Sequence, residues 1–179
     1  MPELDVAIEA AITAGNSILE IYEGKYKTLT KSDDSPITEA DLKSNEIIKT
    51  ILSKTKHKIL SEEDKDDQNR LSEEIIWIVD PLDGTSDFID KTGEFTVMIA
   101  LIKNKKPIIG VIGWPTEKII FAAQEGCGAF RFSNGKWEKI SVTKVSELSK
   151  CKAVGSRHHL SEKEKMFIKK LGIMDFTSI

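Results

Sequence analysis

The run Ile75-Ile76-Trp77-Ile78-Val79, broken off at Asp80-Pro81, constrains this chain more than any other feature. Five apolar residues without a polar interruption read as a strand buried on both faces, because a half-buried strand would alternate. Such a strand needs neighbours beside it and layers over it. The chain supplies neighbours in quick succession: residues 58–61 upstream, then 95–102, 107–112 and 118–123 as strands joined by short turns. Ser133-Asn134-Gly135-Lys136 adds a hairpin, since Asn-Gly suits the type I′ turn that matches strand twist.

Cover for that sheet comes from the N-terminal third. Leu4, Ile8, Ala11, Ile12, Ile18, Leu19 and Tyr22 recur at helical spacing, with Gly24 as a stop. Residues 31–36 read as a polar loop. Thr38 then offers an N-cap with Asp41 three positions on, and a second helix continues through Leu42, Ile47, Ile48, Ile51 and Leu52. Two helices followed by sequential strands argue an α+β fold with a largely antiparallel sheet. The character changes near Cys151. Residues 152–154 read as a strand and Ser161 as the cap of a helix through Leu171, after which 175–179 offer no closing element. The expected division is a domain over 1–150 and, over 151–179, the beginning of a truncated C-terminal domain.

Composition narrows the function classes. A net charge of -3 leaves no basic footprint for a nucleic-acid polymer. Cys127 and Cys151 are too few for a disulfide framework and read as free thiols of a reducing cytoplasm. The N-terminus has no signal-peptide pattern, and no apolar run has the length of a membrane span. A cytoplasmic protein that does not engage membranes is expected.

Chemistry concentrates where the central run ends. Pro81, which cannot donate to a ladder, is expected to stop the strand just after Asp80. Asp83 follows in a tight turn, Gly84 allows backbone conformations other residues resist, and Thr85 or Ser86 could cap a short helix through Phe88. Two carboxylates and a hydroxyl at a helix N-terminus suit phosphate only if a cation offsets the carboxylates, and Mg²⁺ commonly joins one or two carboxylates to a phosphate. Spacing alone leaves a solvated Asp-Pro, Asp-Gly turn equally open. The run from Glu62 to Asp67 reads mainly as a wet loop, with only Glu62 and Glu63, at a strand end, expected to point at anything. His57 reads as surface.

Asp41 within Thr38-Glu39-Ala40-Asp41, then Glu62-Glu63, then Asp80-Pro81-Leu82-Asp83-Gly84-Thr85 together resemble the metal-binding signature of the inositol monophosphatase superfamily. Residues 31–38, Leu60-Ser61-Glu62-Glu63, Asp87-Phe88-Ile89, Gly93-Glu94-Phe95-Thr96-Val97 and Gly155-Ser156-Arg157-His158-His159 look most like its CysQ-type 3'(2'),5'-bisphosphate nucleotidases. The resemblance covers essentially the whole chain.

That resemblance implies a Mg²⁺-dependent, lithium-sensitive phosphatase. Glu62, Glu63, Asp80, Asp83 and the Leu82 carbonyl would hold metal. Asp41, Glu62 and Thr85 would carry the catalytic roles by placing the attacking water. Gly84 and Thr85 would contact the scissile phosphate through backbone N–H groups, and Ser156 and His159 would lie near the nucleotide; His159 reads equally as an exposed polar residue before a helix. The implied reaction is hydrolysis of the 3'-phosphate of adenosine 3',5'-bisphosphate to AMP by metal-activated water. The alternatives are inositol monophosphatase activity on the same scaffold and a non-catalytic metal-binding module. A homodimer is compatible with each. One departure stands out: the superfamily has a further metal-binding Asp in a Trp-Asp motif, whereas Trp77, Trp114 and Trp137 are followed here by Ile, Pro and Glu.

Overall fold

The structure, a computed structural model, describes residues 2–30, 36–65, 68, 72–156, 161–173 and 175–178. The chain divides into two compact units, Met1–Ile140 and Ser141–Ile179.

The first unit is a seven-stranded sheet with two helices on one face. α1 spans Pro2–Glu23 and α2 Glu39–Leu52. Between them β1 (Thr28–Thr30) and β2 (Pro36–Thr38) form a small antiparallel ribbon that sequence reading misses; the expected loop over 31–35 lies outside the described residues. The main sheet has the order β3 (Lys58–Ser61), β4 (Ile75–Asp83), β5 (Thr96–Lys103), β6 (Lys106–Trp114), β7 (Ile119–Gln124), β8 (Gly128–Ser133) and β9 (Lys136–Ile140). All neighbours are antiparallel except β3 and β4, which run parallel. The Asn134-Gly135 hairpin forms as expected, both residues having positive φ, 50° and 76°.

The core lies between the helices and one sheet face. α1 presents Ala7, Ala10, Ala11, Ala14 and Ile18 inward, against Val97, Ile99, Val111 and Ile120. The small residues let the helix approach closely: a Cβ added to Gly113 would sit 3.6 Å from the Ala11 Cβ. Ile12, expected on the buried stripe, is exposed instead. Burial of this alanine-rich stripe with the aromatic and branched residues of β4–β6 is the main source of stability in this unit.

Two expectations about the central strand need correction. β4 is not buried on both faces. Trp77 and Val79 are buried, but Ile78 is 40% exposed, and Met98 and Ile112 share that open face at 36% and 39%. Nor does Pro81 end the strand. β4 continues to Asp83 across a register shift between Asp80 and Asp83, because a bulge accommodates a residue that cannot donate to the ladder. Among the described residues, no helix is long and apolar enough to cross a membrane.

The second unit contains β10 (Lys152–Gly155), α4 (Glu162–Lys170) and β11 (Asp175–Ser178), with the two strands paired in parallel. Ser161 caps α4 through a capping box with Glu164. A closing element was not expected at 175–179, yet β11 stands there. Its four residues are all exposed, so no burial pattern marked the segment.

Candidate metal and phosphate site

Three segments of the first unit meet at the end of β4. The N-terminus of α2 brings Asp41, the end of β3 brings Glu62 and Glu63, and the bulge of β4 brings Asp80 to Asp83. Short α3 (Thr85–Ile89) follows directly.

Asp41 is fully buried and tightly bound. Its Oδ2 accepts from the Thr38 backbone N–H (2.7 Å) and the Thr38 hydroxyl (2.6 Å), while the Thr38 Oγ1 accepts from the Ala40 N–H (3.1 Å). This capping box makes one oxygen of Asp41 structural. The other oxygen faces β4, where Oδ1 accepts from the Thr85 hydroxyl at 2.9 Å. A residue at the start of α2 and one at the start of α3, 44 positions apart, thus form a half-buried carboxylate–hydroxyl pair.

The turn between these two residues is held by its backbone. Leu82 N–H donates to Asp80 Oδ1 (3.2 Å), and the Leu82 carbonyl lies 3.3 Å from the Thr85 hydroxyl. Ser44 on α2 donates to the Pro81 carbonyl (2.7 Å). Gly84, not Thr85 or Ser86, is the N-cap of α3, with φ 89° and no side-chain cap bond. The expected hydroxyl cap is absent because Gly84 holds the cap position and Thr85 is already the first residue of the helix. Only glycine fits at 84, since a Cβ there would lie 2.9 Å from the Glu94 carbonyl oxygen.

The carboxylates on the outer side are crowded. Asp80 projects to the open sheet face, paired with Met98. Its pKa is pushed up to about 7, first by burial and then by the charges of Glu62 and Asp83, and its side chain hydrogen-bonds Glu62. Asp83 is raised as well, by burial and then by Glu62, with a hydrogen bond to Thr96 opposing the rise. Beside Glu62 and Asp80 lies a groove lined by Leu60, Ile78, Met98 and Ile112.

This donor set fits a hard divalent cation. It is all oxygen, Asp80 is tied to the Leu82 N–H, and the charge of Glu62 raises the pKa of both Asp80 and Asp83 in a way an added cation would reverse. Among the described residues, no three His, Cys, Asp or Glu side chains already stand in a closed metal-holding cluster. Mg²⁺ does not require one, as it usually takes one or two carboxylates and completes its shell with water and phosphate.

Glu62 is exposed and Glu63 half-buried. Glu62 N–H donates to the Val79 carbonyl (3.0 Å), continuing the β3–β4 pairing to the site. Asp64, read from sequence as part of a wet loop, is instead tied to α2: Lys49 Nζ at 2.5 Å and Asn45 Nδ2 at 3.1 Å bind its two oxygens. The signal lay in Asn45 and Lys49, four apart on one helix face. Ser156 follows β10 in the second unit, and His159 lies outside the described residues. His57 is half-buried rather than freely exposed, 3.7 Å from Glu3. Cys127 and Cys151 are free thiols.

A helix pair on one face of a meander sheet, with carboxylates gathered at a bulge, defines a class, and comparison with known proteins names it. The profile of the inositol monophosphatase family matches residues 2–174, and the chain belongs to that family. Among curated relatives, the 3'(2'),5'-bisphosphate nucleotidase CysQ of Shigella flexneri is 36% identical over 185 residues, covering 98% of this chain and 72% of that protein. CysQ of Bacteroides thetaiotaomicron superposes with a TM-score of 0.77 at 39% identity, over 98% of this chain and 71% of the other. The extragenic suppressor protein suhB of Bartonella henselae gives 0.84 at 27% identity, over 99% and 70%.

Proposed function

We propose that this protein is a Mg²⁺-dependent 3'(2'),5'-bisphosphate nucleotidase of the cytoplasm, removing the 3'-phosphate of adenosine 3',5'-bisphosphate to leave AMP. The observation that carries the reading is the Asp41–Thr85 pair, 2.9 Å apart and buried on the Asp41 side, set beside the Glu62, Asp80 and Asp83 carboxylates. The identity to CysQ nucleotidases selects the substrate.

Glu62, Asp80, Asp83 and the Leu82 carbonyl would hold Mg²⁺, with Glu63 at the rim. When bound, the ion supplies positive charge against the phosphate oxygens and acidifies a water. The rest falls to the chain. The Thr85 hydroxyl donates its hydrogen bond to Asp41, which leaves its oxygen lone pairs to accept from a water. Asp41, fixed by Thr38, keeps that hydroxyl in one orientation, which places the nucleophile without reorganisation during the reaction. Gly84 and Thr85 would present backbone N–H groups to the phosphate at the opening of α3, the missing Cβ at 84 letting the turn pack against the Glu94 carbonyl. Ser156 and His159 are assigned to the nucleotide side.

Inositol monophosphatase activity is the neighbouring reading. Phosphate release from adenosine 3',5'-bisphosphate and from inositol 1-phosphate, compared at equal concentration in Mg²⁺, separates the two. A kcat/KM higher for the nucleotide by about tenfold or more, some 1.4 kcal/mol of transition-state preference, is expected. Equal rates, or preference for the inositol ester, would overturn the nucleotidase assignment.

A further inference from the structure

We infer that Lys91 is a positioning residue for the Thr85 hydroxyl, acting through α3 from the end opposite the site. The inference rests on the role proposed above for Thr85, but its geometry is independent of that role.

α3 has five residues, far too few for a helix to persist by its own propensity, so whatever pins it sets the position of Thr85. Its middle is pinned by Phe88, fully buried with ring centroids 5.1 Å from Tyr22, 4.9 Å from Tyr26 and 5.2 Å from Phe95. Its C-terminal end closes in a Schellman arrangement: Thr92 N–H donates to the Asp87 carbonyl (3.1 Å) and Lys91 N–H to the Phe88 carbonyl (3.4 Å). Lys91 thus occupies the position that usually falls to glycine, and it adopts the left-handed conformation at φ 59°.

Lys56, Lys105 and Lys118 share this conformation, so what distinguishes Lys91 is where its side chain goes. The Lys91 ammonium lies 3.9 Å from the Tyr22 ring centroid, 4.7 Å from that of Tyr26 and 5.4 Å from that of Phe88. It also donates to the Tyr22 carbonyl. That carbonyl belongs to the last turn of α1, which has no basic residue of its own. Lys91 therefore supplies the cation for the negative end of the longest helix in the fold. The strap beyond it is tied to the same frame: Tyr22's phenol hydrogen-bonds the Gly93 backbone, and the Gly93 carbonyl accepts from Trp114 Nε1 (3.0 Å) and Thr116 Oγ1 (2.8 Å). One end of α3 is fastened to α1 by Lys91. The other end holds Thr85 against Asp41.

Three variants and two readouts test this. Hydrogen exchange follows the Phe88 and Asp90 amides, which donate to the Gly84 and Ser86 carbonyls; steady-state kinetics on adenosine 3',5'-bisphosphate follow kcat and KM. Lys91→Met keeps the stem and loses the charge, and is expected to lower protection of those two amides and kcat alike by about three- to fivefold, with KM unchanged, the size of an exposed cation–π contact. Lys91→Arg restores both. Lys91→Gly removes the side chain but relieves a backbone cost of similar size, so protection above that of Lys91→Met is expected. Unchanged protection in Lys91→Met, failure of Lys91→Arg to rescue, or an equal loss across the β5 and β6 amides would each overturn the inference. Absence of turnover in the unsubstituted chain would count against the proposed function alone, and hydrogen exchange would then decide the role of Lys91.

Discussion

Asp41 divides its two oxygens between folding and chemistry. Oδ2 closes the cap of α2 and Oδ1 receives the Thr85 hydroxyl. Thr85→Val removes the donor to Oδ1 at nearly constant volume. It is expected to lower kcat by about 100-fold, within the usual range for a group that orients a proton transfer, while the circular dichroism spectrum is kept. Retention of more than half the activity would remove Thr85 from the mechanism. Asp80 gives a pH dependence of definite sign. Its folded pKa of about 7 stands above its usual 3.8, so the folded protein binds this proton more tightly than the unfolded chain. In metal-free buffer its contribution to stability is fully present below pH 4 and is lost as pH rises through 7. Added Mg²⁺ is expected to oppose that loss. Urea midpoints at pH 5 and 8, with and without Mg²⁺, measure both effects, and a metal-free contribution that grows toward pH 8 would contradict the crowding of Glu62, Asp80 and Asp83.

At the scale of elements, the site depends on how β4 ends. The strand passes Pro81 through a bulge and turns into α3 at Gly84, whose back lies against the Glu94 carbonyl. Gly84→Ala has both a positive φ and a backbone clash to accommodate. A loss of about 2 kcal/mol or more is expected in chemical denaturation, with Mg²⁺ affinity falling as well because Asp83 is adjacent. An alanine variant with wild-type stability would show that the turn does not need this close approach. Much of this region was legible beforehand. Asp80, Asp83 and Gly84 stood out because a buried strand ran into Pro and Gly, and Thr38 with Asp41 carried the spacing of a cap. The route of the chain was not legible. A bulge depends on the register of β5, the exposure of Ile78 on what covers the second sheet face, and the engagement of Asp64 on where α2 lies. None of these is a property of the local sequence. Lys91 escaped for the same reason, since its partners Tyr22 and Tyr26 are some 65 to 69 positions away and nothing near it in sequence marks it.

Across the whole molecule, one physical theme links fold and proposed chemistry. The protein is acidic overall, at -3, and it gathers further negative charge at the end of β4, an arrangement that suits a phosphate ester only when a cation joins the two. The clustered carboxylates belong to the first unit, where α1 and α2 hold the sheet and two helix N-termini meet. The family and the α+β architecture were both accessible from sequence, because the three acidic segments occur in order at telling intervals. The parallel pairing of β3 with β4 and of β10 with β11 was not, since strand direction is decided by connections rather than by residue pattern. The most direct test of the metal-dependent reading is phosphate release from adenosine 3',5'-bisphosphate by this chain and by Asp83→Asn, each in Mg²⁺ and in EDTA. Turnover by the unsubstituted chain in Mg²⁺, abolished both by EDTA and by the substitution, is expected; turnover that survives EDTA, or that Asp83→Asn leaves unchanged, would contradict it.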